Sequence, residues 1–280
     1  MKILITDIES NLGKYLNSFL SSANTIYGFT KETLYLPDKS KTSEIILSIK
    51  PDVVIHTSSI DNLDLCEENE SLAYTFNTIG SLNAAYPCSI LDIPIVYLST
   101  SYVYDGEKST PYYETDDCYP VNVFGKTKLA SEKLIRTLCK KYFIIRTSWI
   151  FGGSDCFVKN VLRNKTAEVF MCTKEVGNPT YIKDLSLSIE KIIHSDLFGI
   201  YNCANSGFVS KYDWVKYIFE LSNLNKEMVA LPENIIDEGI CRPKFTAMNT
   251  TVIKNCFDLE LPHWKISLKE YISTLESPVK

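Results

Sequence analysis

The 280-residue sequence predicts an α/β protein, in which a doubly wound parallel sheet is followed by a smaller lobe. Short runs rich in Val, Ile, Leu and Tyr alternate with amphipathic stretches through the first half of the chain, which is the rhythm of βαβ units. These runs show little alternation of polar and apolar residues, as expected for strands that helices cover on both faces. A turn-rich region that begins at Gly152 and Gly153 interrupts the rhythm and indicates a second lobe.

The predicted elements follow one another along the chain. Strands are predicted at 2–6 (KILIT), 25–29 (TIYGF), 52–56 (DVVIH), 93–100 (IPIVYLST) and 142–147 (YFIIRT). Helices are predicted from Asn11 and near 41–49, 69–89, 121–140, 182–194, 210–222 and 265–275. We therefore predict a Rossmann-like dinucleotide-binding domain at 1–150 and a smaller substrate-binding lobe at 151–280, and elements after residue 181 can return to the main sheet.

The composition is that of an ordinary globular protein, with 45% hydrophobic residues, 22% charged residues and a net charge of -5. No long basic run occurs and the mild acidity would repel a phosphate backbone, so no nucleic-acid partner is expected. The stretch from Lys2 to Asp7 is too short for the core of a signal peptide, and no apolar run approaches the roughly 20 residues that cross a bilayer. We expect a cytoplasmic protein without a membrane span.

Nine cysteines and three histidines are scattered through the chain. No two cysteines have the two-residue spacing of zinc or redox motifs, and His56, His194 and His263 lie far apart. No metal site is therefore predicted, and the cysteines are expected to be reduced thiols of the core.

Two segments carry a resemblance to a known family, STSYVYDG at 99–106 and NVFGKTKLASE at 122–132. Further matching segments are KPDVVIH at 50–56, Asn77 with Gly80, RTSWIFG at 146–152, GNPTYIKDL at 177–185, GIYNCAN at 199–205, CRPKFTA at 241–247 and LPHWKISLKEYI at 261–272. Over nearly its whole length the chain resembles the dTDP-4-dehydrorhamnose reductase family of extended short-chain dehydrogenases. The resemblance extends to the regulatory beta subunit of methionine adenosyltransferase, which uses this fold without serving as a sugar reductase.

The resemblance implies a catalytic set of a Ser or Thr, a Tyr and a Lys, with the Tyr four residues before the Lys on one helix. Thr100 and Lys128 match this set, but Phe124 occupies the tyrosine position. Residues four apart share a helix face, so the lysine can hold the nicotinamide ribose and lower the pKa of the tyrosine that protonates the substrate. Phenylalanine lacks that proton, and general acid catalysis is worth about 10²- to 10⁴-fold. Tyr102 is a substitute phenol or, alternatively, a residue of the core or pocket wall.

The loop after the first strand, TDIESNLG, lies where a doubly wound fold holds a dinucleotide pyrophosphate. The three glycines of the family's loop correspond to Asp7, Ser10 and Gly13. An Asp7 carboxylate about 5 Å from a phosphate charge would oppose binding by roughly 3 kcal/mol at an effective dielectric constant of about 20. Ser10 adds a side chain where the backbone should approach the phosphates. Asn11 and Leu12 complete the predicted cofactor loop, and the alternative is a plain turn in which Gly13 helps the helix pack.

The other predicted cofactor contacts are Thr30, Lys31, Thr57, Ser58 and Lys128. Thr57 and Ser58 follow His56 where the family has a small Asn-Ala-Ala run near the cofactor ribose. Lys31 would favour a 2′-phosphate, and its alternative is a solvated lysine. Lys128 is a retained cofactor contact or a solvated helix lysine. The resemblance implies NADPH or NADH as cofactor, and the altered loop predicts that its binding is weak or lost.

The predicted substrate contacts are Thr100, Tyr102, Trp149 and Arg242. Trp149 can stack on a sugar or thymine ring, and the planar donors of Arg242 suit a diphosphate, with a surface ion pair as the alternative. The resemblance implies a nucleotide sugar, a dTDP-deoxysugar, as ligand and leaves open a homodimer or a regulatory protein partner.

Two functions from different classes follow from these residues. The first is a nucleotide-sugar-binding or regulatory pseudoenzyme of deoxysugar nucleotide metabolism, with lost or weak NADPH-dependent reduction. The second is an active NADPH-dependent reductase of 4-keto-6-deoxysugar nucleotides, in which Tyr102 or an ordered water supplies the proton. Asp7, Ser10 and Phe124 favour the first.

Overall fold

The computed structural model describes residues 1–164, 166, 168–231 and 240–276. The strands are β1 (Lys2–Ile5), β2 (Thr25–Gly28), β3 (Val53–His56), β4 (Ile95–Thr100), β5 (Tyr142–Thr147), β6 (Ile150–Phe151), β7 (Glu168–Cys172), β8 (Val176–Gly177), β9 (Thr180–Tyr181), β10 (Gly199–Asn202), β11 (Val209–Ser210) and β12 (Glu227–Leu231). The α-helices are α1 (Asn11–Leu20), α2 (Lys39–Ile49), α3 (Leu63–Glu68), α4 (Glu70–Ala73), α5 (Gly80–Leu91), α6 (Val123–Leu138), α7 (Phe157–Arg163), α8 (Ile182–Ile193), α9 (Lys211–Leu221), α10 (Thr251–Phe257) and α11 (Trp264–Glu276). A π-helical segment, Tyr74–Ile79, joins α4 to α5, and a short 3-10 turn, Ser101–Val103, follows β4.

Six strands form one parallel sheet in the order β10-β5-β4-β3-β1-β2. The order reverses between β1 and β3, which makes this point the topological switch of a doubly wound fold. The predicted fold class is therefore confirmed. The five strands predicted in the first half are all present, whereas the short helices α3, α7 and α10 were not predicted. Those helices have six or seven residues, too few for a helical period to emerge from the sequence.

The two faces of the sheet bury different apolar side chains because successive strand residues point to opposite sides. On one face Ile3, Ile5 and Val53 pack with the buried residues of α1 and α8. On the other face Leu4 and Val54 pack with α2, α5 and α6. Since both faces are covered, the strands read as continuous apolar runs in the sequence.

The chain returns to the main sheet after its turn-rich region. Helix α8 packs with α1 on one face, and β10 pairs in parallel with β5, with Ile200 opposite Ile144. The short strand pairs β6 with β9, β7 with β12 and β8 with β11 lie outside the main sheet. The division into 1–150 and 151–280 stays a prediction, and residues 165, 167, 232–239 and 277–280 of the second range lie outside the described structure.

Eight cysteines of the described chain have free thiols, and five of them are buried. Cys118 is half-buried and packs against a core cluster, whereas Cys241 and Cys256 are exposed, so the prediction of core positions is wrong for these two. In the described part of the chain, no helix is both long enough and apolar enough to cross a membrane.

Candidate functional site

A cleft of about 500 Å³ lies at the carboxyl ends of the central strands. Its lining includes ten of the side chains predicted for the site: Ser10, Asn11, Leu12, Thr57, Thr100, Tyr102, Phe124, Lys128, Trp149 and Arg242. A larger groove of about 850 Å³ beside α7 and β7 holds none of them. Ligands of doubly wound folds bind outside the carboxyl ends of the strands, so the smaller cleft is the candidate site.

Helix α6 brings the predicted catalytic positions together at one wall of the cleft. Asn122 caps this helix by accepting a hydrogen bond from the Gly125 N–H at 2.8 Å. A Cβ on Gly125 would lie 2.2 Å from the Tyr102 carbonyl oxygen, so only glycine lets α6 pack directly on the turn after β4. The contact sets Phe124 edge-on to Tyr102, with ring centroids 6.2 Å apart. The Thr100 hydroxyl lies beside them and accepts from the Tyr102 N–H at 3.2 Å.

Lys128 lies one helical turn beyond Phe124 and is 4% exposed. Its Nζ donates to the Leu98 carbonyl oxygen at 2.5 Å and stands 4.3 Å from the centre of the Tyr97 ring. Burial lowers the pKa of Lys128 to about 8. An ammonium group has three donors, and Leu98 is its one hydrogen-bond acceptor within the described structure. Lys128 is therefore a buried donor at the cleft wall, which contradicts the alternative of a solvated helix lysine.

The Asp7 carboxylate is buried within the predicted cofactor loop and is not among the residues that line the cleft. It is 2% exposed and accepts from the N–H groups of Glu9 at 3.0 Å and Ser10 at 3.1 Å. The Ser10 hydroxyl donates to the Asp7 carbonyl oxygen at 2.9 Å and accepts from the Gly13 N–H at 3.0 Å, so it caps α1. A Cβ at Gly13 would lie 1.8 Å from that carbonyl oxygen, which explains the one retained glycine. The expectation that Asp7 places its charge in the cleft is wrong, because the loop's own N–H groups hold the carboxylate.

Asn11 fixes the same loop to the region after β6. Its Nδ2 donates to the Gly152 carbonyl oxygen at 2.7 Å, and its Oδ1 accepts from the Ser154 N–H at 3.2 Å. The backbone N–H groups of Asn11 and Leu12 have no acceptor among the described residues, and both residues line the cleft. The first turn of α1 therefore keeps two donors that an anionic ligand could use.

The predicted ribose contacts divide between the cleft and the core. Thr57 lines the cleft and donates from Oγ1 to the Asp7 carbonyl oxygen at 3.0 Å. Ser58 is buried, and its N–H donates to Thr6 Oγ1 at 3.3 Å. His56 is 1% exposed, with Nδ1 2.9 Å from Thr6 Oγ1. Burial lowers the pKa of His56 to about 3, so its ring is a neutral part of the core.

After β2, Lys31 reaches across to two neighbouring loops. Its Nζ donates to the Ser59 carbonyl oxygen at 3.0 Å and lies 3.7 Å from Asp7 Oδ2. Neither Thr30 nor Lys31 is among the cleft-lining residues, and the Thr30 N–H is taken by Thr33 Oγ1 at 2.8 Å. The Lys31 side chain is thus 44% exposed, as in the alternative of a solvated lysine, and it also contacts these two loops.

Trp149 and Arg242 line the same cleft as Ser10, Asn11 and Leu12. Trp149 has a φ of 43°, a left-handed conformation that a bulky residue rarely adopts, and its ring stacks on Trp214 with centroids 5.5 Å apart. Arg242 Nε lies 4.0 Å from Glu175 Oε1, with 32% of the side chain exposed. Arg242 therefore both borders the cleft and forms the ion pair that the sequence left open.

Several cleft residues were not predicted: Ser59, Asp61, Ser101, Thr147 and Asp155. Two of them, Ser101 and Thr147, bury hydroxyl groups without a partner in the described structure. Ser101 directly follows β4, and Thr147 is the last residue of β5. Their positions at the carboxyl ends of central strands could have identified them from the sequence as residues of the cleft.

A doubly wound sheet with a polar cleft beside its switch point is the architecture typical of dinucleotide-binding proteins. The chain belongs to the family described as the RmlD substrate binding domain, whose model matches residues 1–277. It is 30% identical to the spore coat polysaccharide biosynthesis protein SpsK of Bacillus subtilis over 280 residues, covering 99% of this chain and 98% of that protein. It is 32% identical to dTDP-4-dehydrorhamnose reductase of Aggregatibacter actinomycetemcomitans, covering 96% of this chain and 97% of that protein. The crystal structure of dTDP-4-dehydrorhamnose reductase from Bacillus anthracis in complex with NADP superposes with a TM-score of 0.94 at 30% identity, covering 98% of this chain and 99% of that chain.

The two ends of this cleft differ in how they fit the dinucleotide that the family implies. Lys128 fits at the end formed by α6, because its buried ammonium group has donors to spare for ribose hydroxyls. Near β2, where the adenosine half of a dinucleotide lies in this fold, Lys31 already bridges Ser59 and Asp7. Lys128 therefore fits the nicotinamide ribose, and near β2 the Lys31 ammonium lies between the Ser59 carbonyl oxygen and the Asp7 carboxylate.

Proposed function

We propose that the protein binds a dTDP-deoxysugar and that its own NADPH-dependent reduction of a 4-keto sugar is lost or weak. The single observation that carries this proposal is Phe124, which lines the cleft one helical turn before Lys128. The relatives named dTDP-4-dehydrorhamnose reductase support a nucleotide-deoxysugar ligand, and SpsK supports a role in polysaccharide biosynthesis. A binding or regulatory role in deoxysugar nucleotide metabolism follows.

The chemistry of the cleft wall agrees with this proposal. Reduction of a ketone needs a hydride at carbon and a proton at oxygen, and the Phe124 ring has no proton to give. Lys128 can donate hydrogen bonds to ligand oxygens, and Thr100 lines the same cleft. Trp149 and Arg242 supply an aromatic face and a cation for the nucleotide sugar. These groups can bind and orient a sugar nucleotide without reducing it.

We expect dTDP-rhamnose to raise the melting temperature of the protein in the absence of any dinucleotide. At about 100 times the dissociation constant, a ligand that binds only the native state stabilises it by about 2.7 kcal/mol, or roughly 5 to 10 °C for a chain of this size. The measurement is differential scanning fluorimetry with dTDP-rhamnose, dTDP and free rhamnose. Arg242→Met should reduce the shift, whereas Lys254→Met, in the exposed pair with Glu260, should not. An unchanged melting temperature at millimolar dTDP-rhamnose would contradict the proposed ligand.

We also expect NADPH to bind weakly, with a dissociation constant well above the submicromolar range. Ser10 adds a side chain at the loop that approaches the phosphates, and Lys31 bridges the neighbouring loops. Isothermal calorimetry with NADPH and NADH, using an active relative as the positive control, measures this affinity. Submicromolar binding would show that the altered loop still accepts the dinucleotide.

The second candidate is an active 4-keto-sugar reductase in which Tyr102 supplies the proton. The observation in its favour is the position of Tyr102, which lines the cleft beside Thr100 with its ring edge-on to Phe124. NADPH oxidation by the wild type with dTDP-4-dehydrorhamnose, at a rate typical of the family, would favour this candidate over the first. Tyr102→Phe should then abolish most of that turnover.

A further inference from the structure

Hydrogen bonds and one ion pair join the loops after β1, β2 and β3. The Asp7 carboxylate accepts from two N–H groups of its own loop, and the Thr57 hydroxyl donates to the Asp7 carbonyl oxygen. Lys31 donates to the Ser59 carbonyl oxygen at 3.0 Å and pairs with Asp7 at 3.7 Å. Asp7 and Lys31 thus both take part in contacts that connect the three loops.

These contacts lie at a defined place relative to the strands. The order of the sheet reverses between β1 and β3, and β2 lies beside β1 at the edge. A dinucleotide in such a fold crosses the carboxyl end of β1, and its adenosine ribose lies beside the residues that follow β2. Lys31 comes three residues after Gly28, the last residue of β2. We infer that Asp7, Lys31 and the Ser59 carbonyl form a strap, which a dinucleotide must open but a nucleotide sugar bound between Trp149 and Arg242 need not.

The charged groups of the strap determine which interactions are lost when it opens. The Asp7 carboxylate is 2% exposed, so it depends on its two N–H donors and on Lys31 for compensation. A dinucleotide whose adenosine ribose enters beside the residues after β2 would have to break the contacts of Lys31 with the Ser59 carbonyl oxygen and with Asp7. Lys31 is 44% exposed, so each contact is weak alone and the strap can open. The inference rests on the proposed function and assigns it a cause, namely the exclusion of dinucleotides by the chain's own carboxylate and lysine.

Lys31→Met tests the strap because it removes both contacts of Nζ and preserves much of the apolar stem. We expect calorimetry on the full chain to show about fivefold tighter binding of both NADH and NADPH and unchanged binding of dTDP-rhamnose. Asp7→Asn, which keeps an oxygen for the two N–H groups and removes the charge that holds Lys31, should act in the same direction. Lys14→Met is the matched control, because Lys14 is an exposed lysine of α1 and its loss changes the net charge equally.

Each other outcome is informative. A selective loss of NADPH binding in Lys31→Met would show that Lys31 is a 2′-phosphate ligand, and the strap would be wrong. Equal affinities in Lys31→Met, Lys14→Met and the wild type, including no binding in any of them, would show that the strap is not the barrier and would also overturn it. Failure of dTDP-rhamnose to bind any variant would contradict the proposed function and leave the NADH comparison valid, so the two failures are distinguishable.

Discussion

The triple variant Asp7→Gly/Ser10→Gly/Phe124→Tyr is expected to oxidise NADPH with dTDP-4-dehydrorhamnose far faster than the sum of the gains of its parts. Under the proposed function, Phe124→Tyr alone supplies an acid to a site that binds the hydride donor weakly. The two glycine changes alone open the cofactor loop and release Lys31 but leave no acid at the cleft wall. General acid catalysis contributes about 10²- to 10⁴-fold, and groups that act as one unit are strongly non-additive.

The structure makes this repair feasible with no further catalytic group. Lys128 already lies one helical turn from residue 124 at the cleft wall, where its charge can lower the pKa of a new tyrosine. Ser10→Gly removes the cap of α1 but, since glycine is itself a tolerated capping residue, should cost only a few tenths of a kcal/mol.

The assay for this repair follows NADPH oxidation in the wild type, Phe124→Tyr, the double glycine variant and the triple variant. Phe208→Tyr, at an exposed site away from the cleft, controls for the added phenol. Additive gains would contradict the coupling, and a fast wild type would contradict the proposed loss of reduction.

Arg146→Met is expected to lower the free energy of unfolding by about 3 to 5 kcal/mol, the largest effect on stability that we predict. Arg146 Nη2 lies 2.7 Å from Glu132 Oε2, and both side chains are less than 5% exposed, at 4% and 2%. The Ser99 hydroxyl donates to the same carboxylate, and Arg146 also donates to the Tyr104 hydroxyl. The substitution leaves a buried carboxylate without its counter-charge next to the strand ends that carry Thr100 and Thr147.

Thermal and urea unfolding measure this effect, and the melting temperature should fall by roughly 10 °C. Lys141→Met is the matched control, because its ion pair with Asp92 is exposed at 36% and 67% and should be worth less than about 1 kcal/mol. Replacing both partners, as in Arg146→Met/Glu132→Leu, should be less harmful than the single change, since no unpaired charge remains. Similar losses for Arg146→Met and Lys141→Met would show that the buried pair does not stabilise the fold.

The local sequence pattern by itself predicted the architecture of the sheet and the positions of residues 124 and 128 on one helix face. The apolar runs of β1 to β5 and the helical stretches between them predict a doubly wound sheet, because burial on both faces leaves a signal within each segment. The spacing of Phe124 and Lys128 places both on one helix face through the period of the helix alone. The resemblance, in turn, identified Phe124 as the position that lacks a phenol.

Only the tertiary structure decided where the charged and strained side chains point. Asp7 is turned under its loop by N–H groups whose directions depend on the close contact between Gly13 and the Asp7 carbonyl, and Lys31 meets Ser59 across 28 residues of sequence. The left-handed backbone of Trp149 and the return of β10 to β5 likewise depend on contacts between distant segments. Such contacts form between segments that are remote in sequence, so they leave no periodic pattern in the chain. The sequence therefore identified candidate residues, and only the folded structure showed which groups they contact.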